Sequence, residues 1–375
     1  MPHDRIEHDR RIAYLSAQAV VEGQDSWAAV TEVVRAIESQ GWRVDLYRPE
    51  YAVPVPGVLT RVARILGAQW KLVRGLRRYR AVYARAHPLA WPAVRLAHAL
   101  GVPVVQESNG SWEDAFAAWP ATRRFARLVI ALQRDQYRRA DGIIAVSAGL
   151  AEWLRAEAGR SDAVVSPNGA NTDVFRPGLP RRAGLPDRYV VFFGQFAPWQ
   201  RLEVLLAAYE RPEWPAGVDL VIVGDGQLRP LVEDAAERHS GVRHLGPLPY
   251  EEVPPVVAGA LASAVLTFAP ERAGYSPLKL YESMACGVPI ICSDTPGQAE
   301  FVREAGSGIV VPPEDPAAVA RAAAAIAGDP VAAASMGAKG RAAAEERHSW
   351  EAVGRARLAV VERAVARRDG YYAAR

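Results

Sequence analysis

The strongest constraint on this chain is a rhythm that runs twice and breaks once. Short apolar runs, RIAYLS (11–16), VDLY (44–47), AVYA (81–84), VPVVQ (102–106) and GIIAV (142–146), alternate with amphipathic stretches at helical spacing. Runs of this kind are buried on both faces, and the flanking helices supply the cover. The pattern predicts a parallel sheet with helices on either side. Over residues 167–188 the rhythm stops: PNGANTDVFRPGLPRRAGLPDR holds four prolines and three glycines, a linker composition. It restarts with YVVFFG (189–194), VDLVIVG (218–224), VRHLG (242–246), ASAVLTF (262–268), VPIICS (288–293) and GIVVP (308–312). Residues 316–326 and 331–347 are alanine-rich and read as helices, and a last amphipathic helix is predicted over about 350–367. The expectation is an α/β chain of two Rossmann-like domains in tandem, residues 1–175 and 176–349, in keeping with a length of 375 residues.

Two cysteines, Cys286 and Cys292, exclude a disulfide scaffold or a cysteine-rich zinc module; both lie in apolar surroundings and read as core. No apolar run approaches the roughly 20 residues of a membrane-spanning helix. The opening MPHDRIEHDRR is charged and unlike a secretory signal, so the expected compartment is a reducing cytoplasm. The net charge of +3 is unevenly spread. From Tyr51 to Gln106 there is no acidic residue, while Arg61, Arg64, Lys71, Arg74, Arg77, Arg78, Arg80, Arg85 and Arg95 fall there. Such a field attracts anionic surfaces or ligands. Nucleic acid is not expected as a partner, because no aromatic-and-basic recognition module accompanies the charge.

Two such domains place a cleft between the carboxyl ends of two sheets, where ligands bind in open α/β folds. Gly224-Asp225-Gly226 follows a strand, but position 229 is Arg, so a dinucleotide fingerprint is incomplete and a tight turn is the stronger reading. The most informative segment is PERAGYSPLKLYESMACGVPIICSDTPGQAE (270–300). With IIAVSAGLAEWL (143–154), PNGANTDVFRP (167–177), VVFFGQFAPWQRLEVLLAA (190–208), VIVGDGQLRPLVEDAA (221–236) and HLGPLPYEEV (244–253), it resembles the GT-B retaining glycosyltransferases. The family 4 group (glycosyl transferases group 1) is the nearest in pattern. The likeness covers nearly all of 140–315 in the family's order.

That resemblance implies a GT-B fold, with a donor and acceptor cleft between an N-terminal acceptor domain and a C-terminal nucleotide-sugar domain. It also implies that the last helix, within 350–375, packs back on the first domain. The implied activity is sugar transfer from a nucleoside diphosphate sugar to a hydroxyl acceptor with retention, with no resident cofactor and, in the absence of an Asp-x-Asp motif, no metal. Glu282, taken to lie on the first turn of a helix after Pro277, is the expected ribose ligand. Gly194, Gln195, Gly224, Pro247, Ser276, Pro277 and Leu278 are the other expected donor contacts. Arg201 stands where the family's phosphate-clamping Lys is expected, and Lys279 is a second candidate cation. Two positions depart from the pattern. Gly274 stands where the first Glu of Glu-x7-Glu belongs, with Glu271 three residues out of register, and Gln195 replaces the usual Arg. The chain instead writes S-P-x-K-x-x-E over 276–282.

On the acceptor side, Glu107, Asn109 and Ser111 follow a strand and are candidates for acceptor binding, the first two also for the catalytic edge; a plain turn is the competing reading. His87 borders the same cleft or is structural. No double-displacement carboxylate is expected, since the departing phosphate is held to deprotonate the acceptor in this family. The acceptor is open between a lipid-linked or envelope glycan and a small-molecule natural product. The basic, apolar stretches 61–80 and 123–139 fit helices lying on an anionic membrane at its cytoplasmic face, or ordinary amphipathic helices with solvated arginines. Two alternatives to transfer remain: a GT-B-fold sugar-nucleotide epimerase and a non-catalytic sugar-nucleotide-binding protein.

Overall fold

In a computed structural model of the chain, residues 10–18, 25–50, 57–118, 120–267 and 276–373 are described. Glu271 and Gly274 lie outside them.

The first sheet contains β1 (Arg11–Ser16), β2 (Arg43–Tyr47), β3 (Ala81–Arg85), β4 (Val104–Ser108), β5 (Gly142–Ala145) and β6 (Val164–Val165). Its helices are α1 (Asp25–Glu38), α2 (Val58–Val73), α3 (Trp91–Ala99), α4 (Trp112–Ala118), α5 (Ala126–Arg139) and α6 (Ala148–Ala158). The second sheet contains β7 (Tyr189–Phe193), β8 (Asp219–Val223), β9 (Val242–His244), β10 (Ala262–Val265), β11 (Ile290–Ser293) and β12 (Gly308–Val311). Around it are α7 (Leu202–Tyr209), α8 (Arg229–Arg238), α9 (Val253–Ala258), α10 (Leu278–Ala285), α11 (Ala299–Ala305), α12 (Pro316–Gly328) and α13 (Pro330–Arg347). The last helix is α14 (Trp350–Ala373).

Every strand pairing is parallel, in the orders β2-β1-β3-β4-β5-β6 and β12-β11-β10-β7-β8-β9. The two-sided burial follows from the strand period of two. Tyr14 and Tyr83 face one layer with Val33 and Ile37, while Ala13, Leu15, Val82 and Ala84 face the other with Leu72 and Val94. Two Rossmann-like sheets make this an α/β chain of the kind the rhythm predicts.

The chain crosses from one sheet to the other twice. On the first crossing Arg341 fixes the linker, its Nη1 donating to the carbonyls of Thr172, Phe175 and Ala285. On the second, α14 lies against α1 and strands β3, β4 and β5. Trp350, Val353, Leu358 and Val361 of α14 share one apolar cluster with Val30, Val33 and Ile37 of α1.

Candidate functional site

Strand order reverses between β1 and β3 in the first sheet and between β7 and β10 in the second. At such a switch point the loops diverge and leave a crevice beyond the carboxyl ends of the strands. A cavity of about 280 Å³ joins the two crevices. The first domain contributes Ala29, Arg85, Asn109, Val146 and Asn168, and the second contributes Gln195, Trp199, Gln200, Thr267 and the start of α10 from Ser276 to Lys279.

On the second wall Lys279 is 4% exposed. Its Nζ donates to Gln200 Oε1 at 2.9 Å and lies 3.8 Å from the centre of the Phe192 ring. The aromatic face and the amide stabilise a charge that burial disfavours. Gly194, at φ +119, leaves room for this lysine: a Cβ there would stand 3.3 Å from Nζ. Gly224 answers a packing need, because its Cβ would meet the Gly194 carbonyl oxygen at 1.9 Å. Gly224 and Pro247 do not line the cavity; Gln195, Ser276, Pro277 and Leu278 do.

Four readings of the sequence change. Arg201 does not line the cavity; it pairs with Glu203 at 2.6 Å and with Glu314. Its backbone is left-handed at φ +48, and the preceding residue, Gln200, is the one that reaches Lys279. A local turn thus shifts the cleft-facing residue by one position. Glu282 sits in the second turn of α10, whose first turn holds no acidic residue. It is 7% exposed and, like Arg201, does not line the cavity; with Glu32 its charge raises the already buried Tyr250 phenol. Ser111 is a helix cap: its Oγ accepts from the Asp114 amide at 3.1 Å and its own amide donates to Asp114 Oδ2 at 2.8 Å. Glu107 is 1% exposed and does not line the cavity, because its oxygens are engaged inside the first domain.

That carboxylate is the centre of a buried network. Tyr83 donates to Oε2 at 2.5 Å, Asn109 Nδ2 to Oε1 at 2.8 Å, and Arg357 Nη1 to Oε2 at 3.0 Å. Burial opposes its charge, yet Arg357, Arg85 and the two hydrogen bonds hold it below the usual carboxylate range. Arg357 continues to Asn168 Oδ1 at 3.3 Å. Asn168 in turn donates from its amide to Ser276 Oγ and from Nδ2 to the Ser276 carbonyl, both at 2.8 Å. One hydrogen-bonded path therefore joins the end of β4 to the start of α10. Asn109, at the near end of this path, lines the cavity. His87 accepts the Leu89 amide at Nδ1, and burial with nearby Arg61 lowers it to about 4, so it is neutral and structural.

Asn168, Gln200, Trp199 and Arg357 carried no expectation from the sequence, and Arg85 entered only as one of the nine cations of the acid-free stretch. Asn168 had a usable signal, its place in the Pro-Asn-Gly run that opens the linker. Arg357 had none, being one of many arginines on a long helix.

Two parallel Rossmann-like sheets with a cleft at facing switch points and a returning last helix define the GT-B class. Residues 187–329 match the family Glycosyl transferases group 1, and residues 28–174 match Glycosyltransferase Family 4. The chain belongs to this group 1/family 4-like set of glycosyltransferases. It is 35% identical to the phosphatidyl-myo-inositol mannosyltransferase of Mycobacterium leprae over 194 residues, half of each chain. It is 27% identical to the GDP-mannose-dependent alpha-(1-6)-phosphatidylinositol monomannoside mannosyltransferase of Mycolicibacterium smegmatis over 89% of this chain and 87% of that one. The chain spans about half the length of the phosphatidyl-myo-inositol mannosyltransferases it matches. Among solved structures, sucrose-phosphate synthase from Thermosynechococcus elongatus superposes with a TM-score of 0.77 at 20% identity, over 95% of this chain and 99% of that one.

Proposed function

We propose that the chain transfers a sugar from a nucleoside diphosphate sugar to a hydroxyl acceptor, with retention and without a metal ion. The carrying observation is Lys279, a buried cation held by Gln200 and turned to the cleft beside Gly194 at the switch point of the second sheet. A diphosphate placed there gains a counter-charge whose value grows as the glycosidic bond breaks. Glu282, three residues beyond Lys279 on α10 and behind the cavity wall, is the carboxylate this reading assigns to the ribose hydroxyls. In this reading residues 176–349 hold the donor, and residues 1–175 with 350–375 hold the acceptor. The GDP-mannose dependence named for the relative from Mycolicibacterium smegmatis supports a sugar nucleotide as donor. Among the described residues that line the cavity none is a carboxylate, and Glu107 behind it is held inside the first domain by three donors. This favours a same-face displacement in which the departing phosphate takes the acceptor's proton.

A lipid-borne acceptor has its own support. On α2, Leu59 and Trp70 are 86% and 57% exposed, and Leu66 lies on the same stripe. Arg64, Lys71 and Arg74 run alongside it, with Arg74 over the Trp70 ring at 4.7 Å. Phe125 and Leu128 are also exposed at the start of α5, beside Arg123, Arg124 and Arg127. Apolar side chains flanked by cations suit the surface of an anionic membrane at its cytoplasmic face.

Radiolabelled UDP-, GDP- and dTDP-sugars, with and without candidate acceptors and with EDTA, test the reading. Acceptor-dependent release of nucleotide that persists in EDTA, with the product anomer unchanged by NMR, supports it. Isomerised donor indicates an epimerase, and tight binding without turnover a binding protein. Either result rejects transfer.

A further inference from the structure

We propose that Arg85 anchors an anionic group, phosphate or carboxylate, carried by the acceptor. The inference rests on the assignment of the Lys279 side of the cleft to the donor.

Arg85 ends β3, in register with Ser16 at the end of β1, so it stands at the switch point of the first sheet. It is 8% exposed and lines the cavity. Its guanidinium makes no hydrogen bond among the described residues, and Nε is shielded from water without a partner. The nearest carboxylate oxygen, Glu107 Oε1, is 3.9 Å away, beyond hydrogen-bond reach. That carboxylate already accepts from Tyr83, Asn109 and Arg357.

The same network shows what a satisfied buried guanidinium looks like in this fold. Arg357, fully buried, spends its donors on Glu107, Ser166, Pro167 and Asn168. Arg85 has five donors and is nearly as buried, yet among the described residues it hydrogen-bonds to none of these groups and has only the Glu107 carboxylate near it, at 3.9 Å. Two guanidinium groups thus share one carboxylate, and the excess positive charge faces the cleft. A planar fork of N–H groups with no hydrogen-bond acceptor among the described residues matches two oxygens of a phosphate or carboxylate.

The opposite wall argues that this anion is not the donor's diphosphate. Among the described residues that line the cavity, each domain presents one buried cation: Lys279 beside Gly194 in the second, Arg85 in the first. With Lys279 serving the leaving group, Arg85 is left for the other reactant. An anion held there places the acceptor against the first domain, with a hydroxyl toward the sugar.

The test uses the full chain with glycerol 3-phosphate, glycerate and glycerol as acceptor-side probes, and UDP and GDP as donor-side probes, by calorimetric titration. Vesicles of phosphatidylglycerol are compared with vesicles of phosphatidylcholine. The wild type is expected to bind glycerol 3-phosphate or glycerate at least about tenfold more tightly than glycerol. Arg85→Gln should remove that preference and change nucleotide affinity less than about twofold, and Arg85→Lys should restore part of it. Lys279→Ala should do the reverse, weakening UDP and GDP and sparing the glycerol 3-phosphate preference. Arg85-dependent binding of soluble glycerol 3-phosphate alone assigns a free phosphoester; Arg85-dependent capture by phosphatidylglycerol vesicles as well assigns a lipid headgroup. Both support the site. Equal affinity for glycerol and its phosphate, or loss of UDP and GDP binding in Arg85→Gln with the anion preference intact, overturns it. Should the wild type bind neither UDP nor GDP while the Arg85-dependent preference remains, the donor reading fails and the anion site stands.

Discussion

Arg357 Nη1 and Glu107 Oε2 lie 3.0 Å apart, both buried, although 250 positions separate the residues in sequence. The pair fixes the last helix to the end of β4. Through Asn168 the same arginine reaches the residue that begins the Ser276–Lys279 segment. Removing the arginine alone leaves a carboxylate in a dry interior with two hydrogen bonds and a distant guanidinium. Arg357→Met should therefore destabilise the chain by about 3–5 kcal/mol. Combining it with Glu107→Gln should recover part of that loss, because the charge then disappears with its partner. Urea titrations of both variants check this; equal losses would show that Glu107 does not need Arg357.

Arg201 holds a left-handed backbone at φ +48. Ala and Gly both discard its ion pairs with Glu203 and Glu314, so comparing them isolates the backbone cost. Arg201→Gly should be more stable than Arg201→Ala by about 1 kcal/mol. Neither should lower kcat more than about threefold if the cleft-facing residue is Gln200. A hundredfold fall in both would return Arg201 to the phosphate clamp.

Lys279 and Glu282 should separate in kinetics. If Lys279 serves the leaving group as proposed, Lys279→Ala removes a cation whose value grows toward the transition state, and kcat should drop on the order of a hundredfold, more than KM rises. On the proposed reading Glu282→Ala removes charge-assisted hydrogen bonds to the donor's ribose, and donor binding should weaken by about 3 kcal/mol. Steady-state kinetics of the two variants decide the point; a pure KM effect at Lys279 would contradict its role at the leaving group.

His348 supplies a pH dependence. Burial, with Arg347 nearby, lowers its ring from 6.5 to about 4, and it is wedged between Tyr281 and Phe301 at 4.7 and 5.1 Å. Between those two values the unfolded chain takes up a proton that the folded chain refuses. Stability is therefore full above about pH 6.5 and falls as the pH drops toward 4, by on the order of 2–3 kcal/mol. His348→Phe should keep the ring stack and flatten part of this slope in thermal melts from pH 4 to 7.

The sheets were readable in the sequence because most strands are apolar runs between helical segments, although β2 (RVDLY) and β9 (VRH) carry polar residues. Only β6, two residues long, carried too little pattern. The site was less legible. Ser-x-x-Asp over 111–114 is itself a capping signal, masked by the position of Ser111 just beyond a strand. The exchange of Gln200 for Arg201 depends on one positive φ, which side-chain type does not encode when the residue is not glycine. Arg357 is invisible for a different reason. On a helix with arginines on several faces, only the approach of β4 and the linker decides which guanidinium is buried.

The return of α14 to the first sheet orders the assembly of the chain in time. As the polypeptide emerges from the ribosome, the segment that carries β1 to β6 must wait for residues beyond 350 before α1 is covered and Glu107 receives its guanidinium. The second sheet, whose strands and α7 to α13 are contiguous, meets no such delay. A nascent chain halted before residue 350 should therefore show a protease-resistant second half beside a cleavable first half. Release of the last two dozen residues then closes the earlier-made domain last.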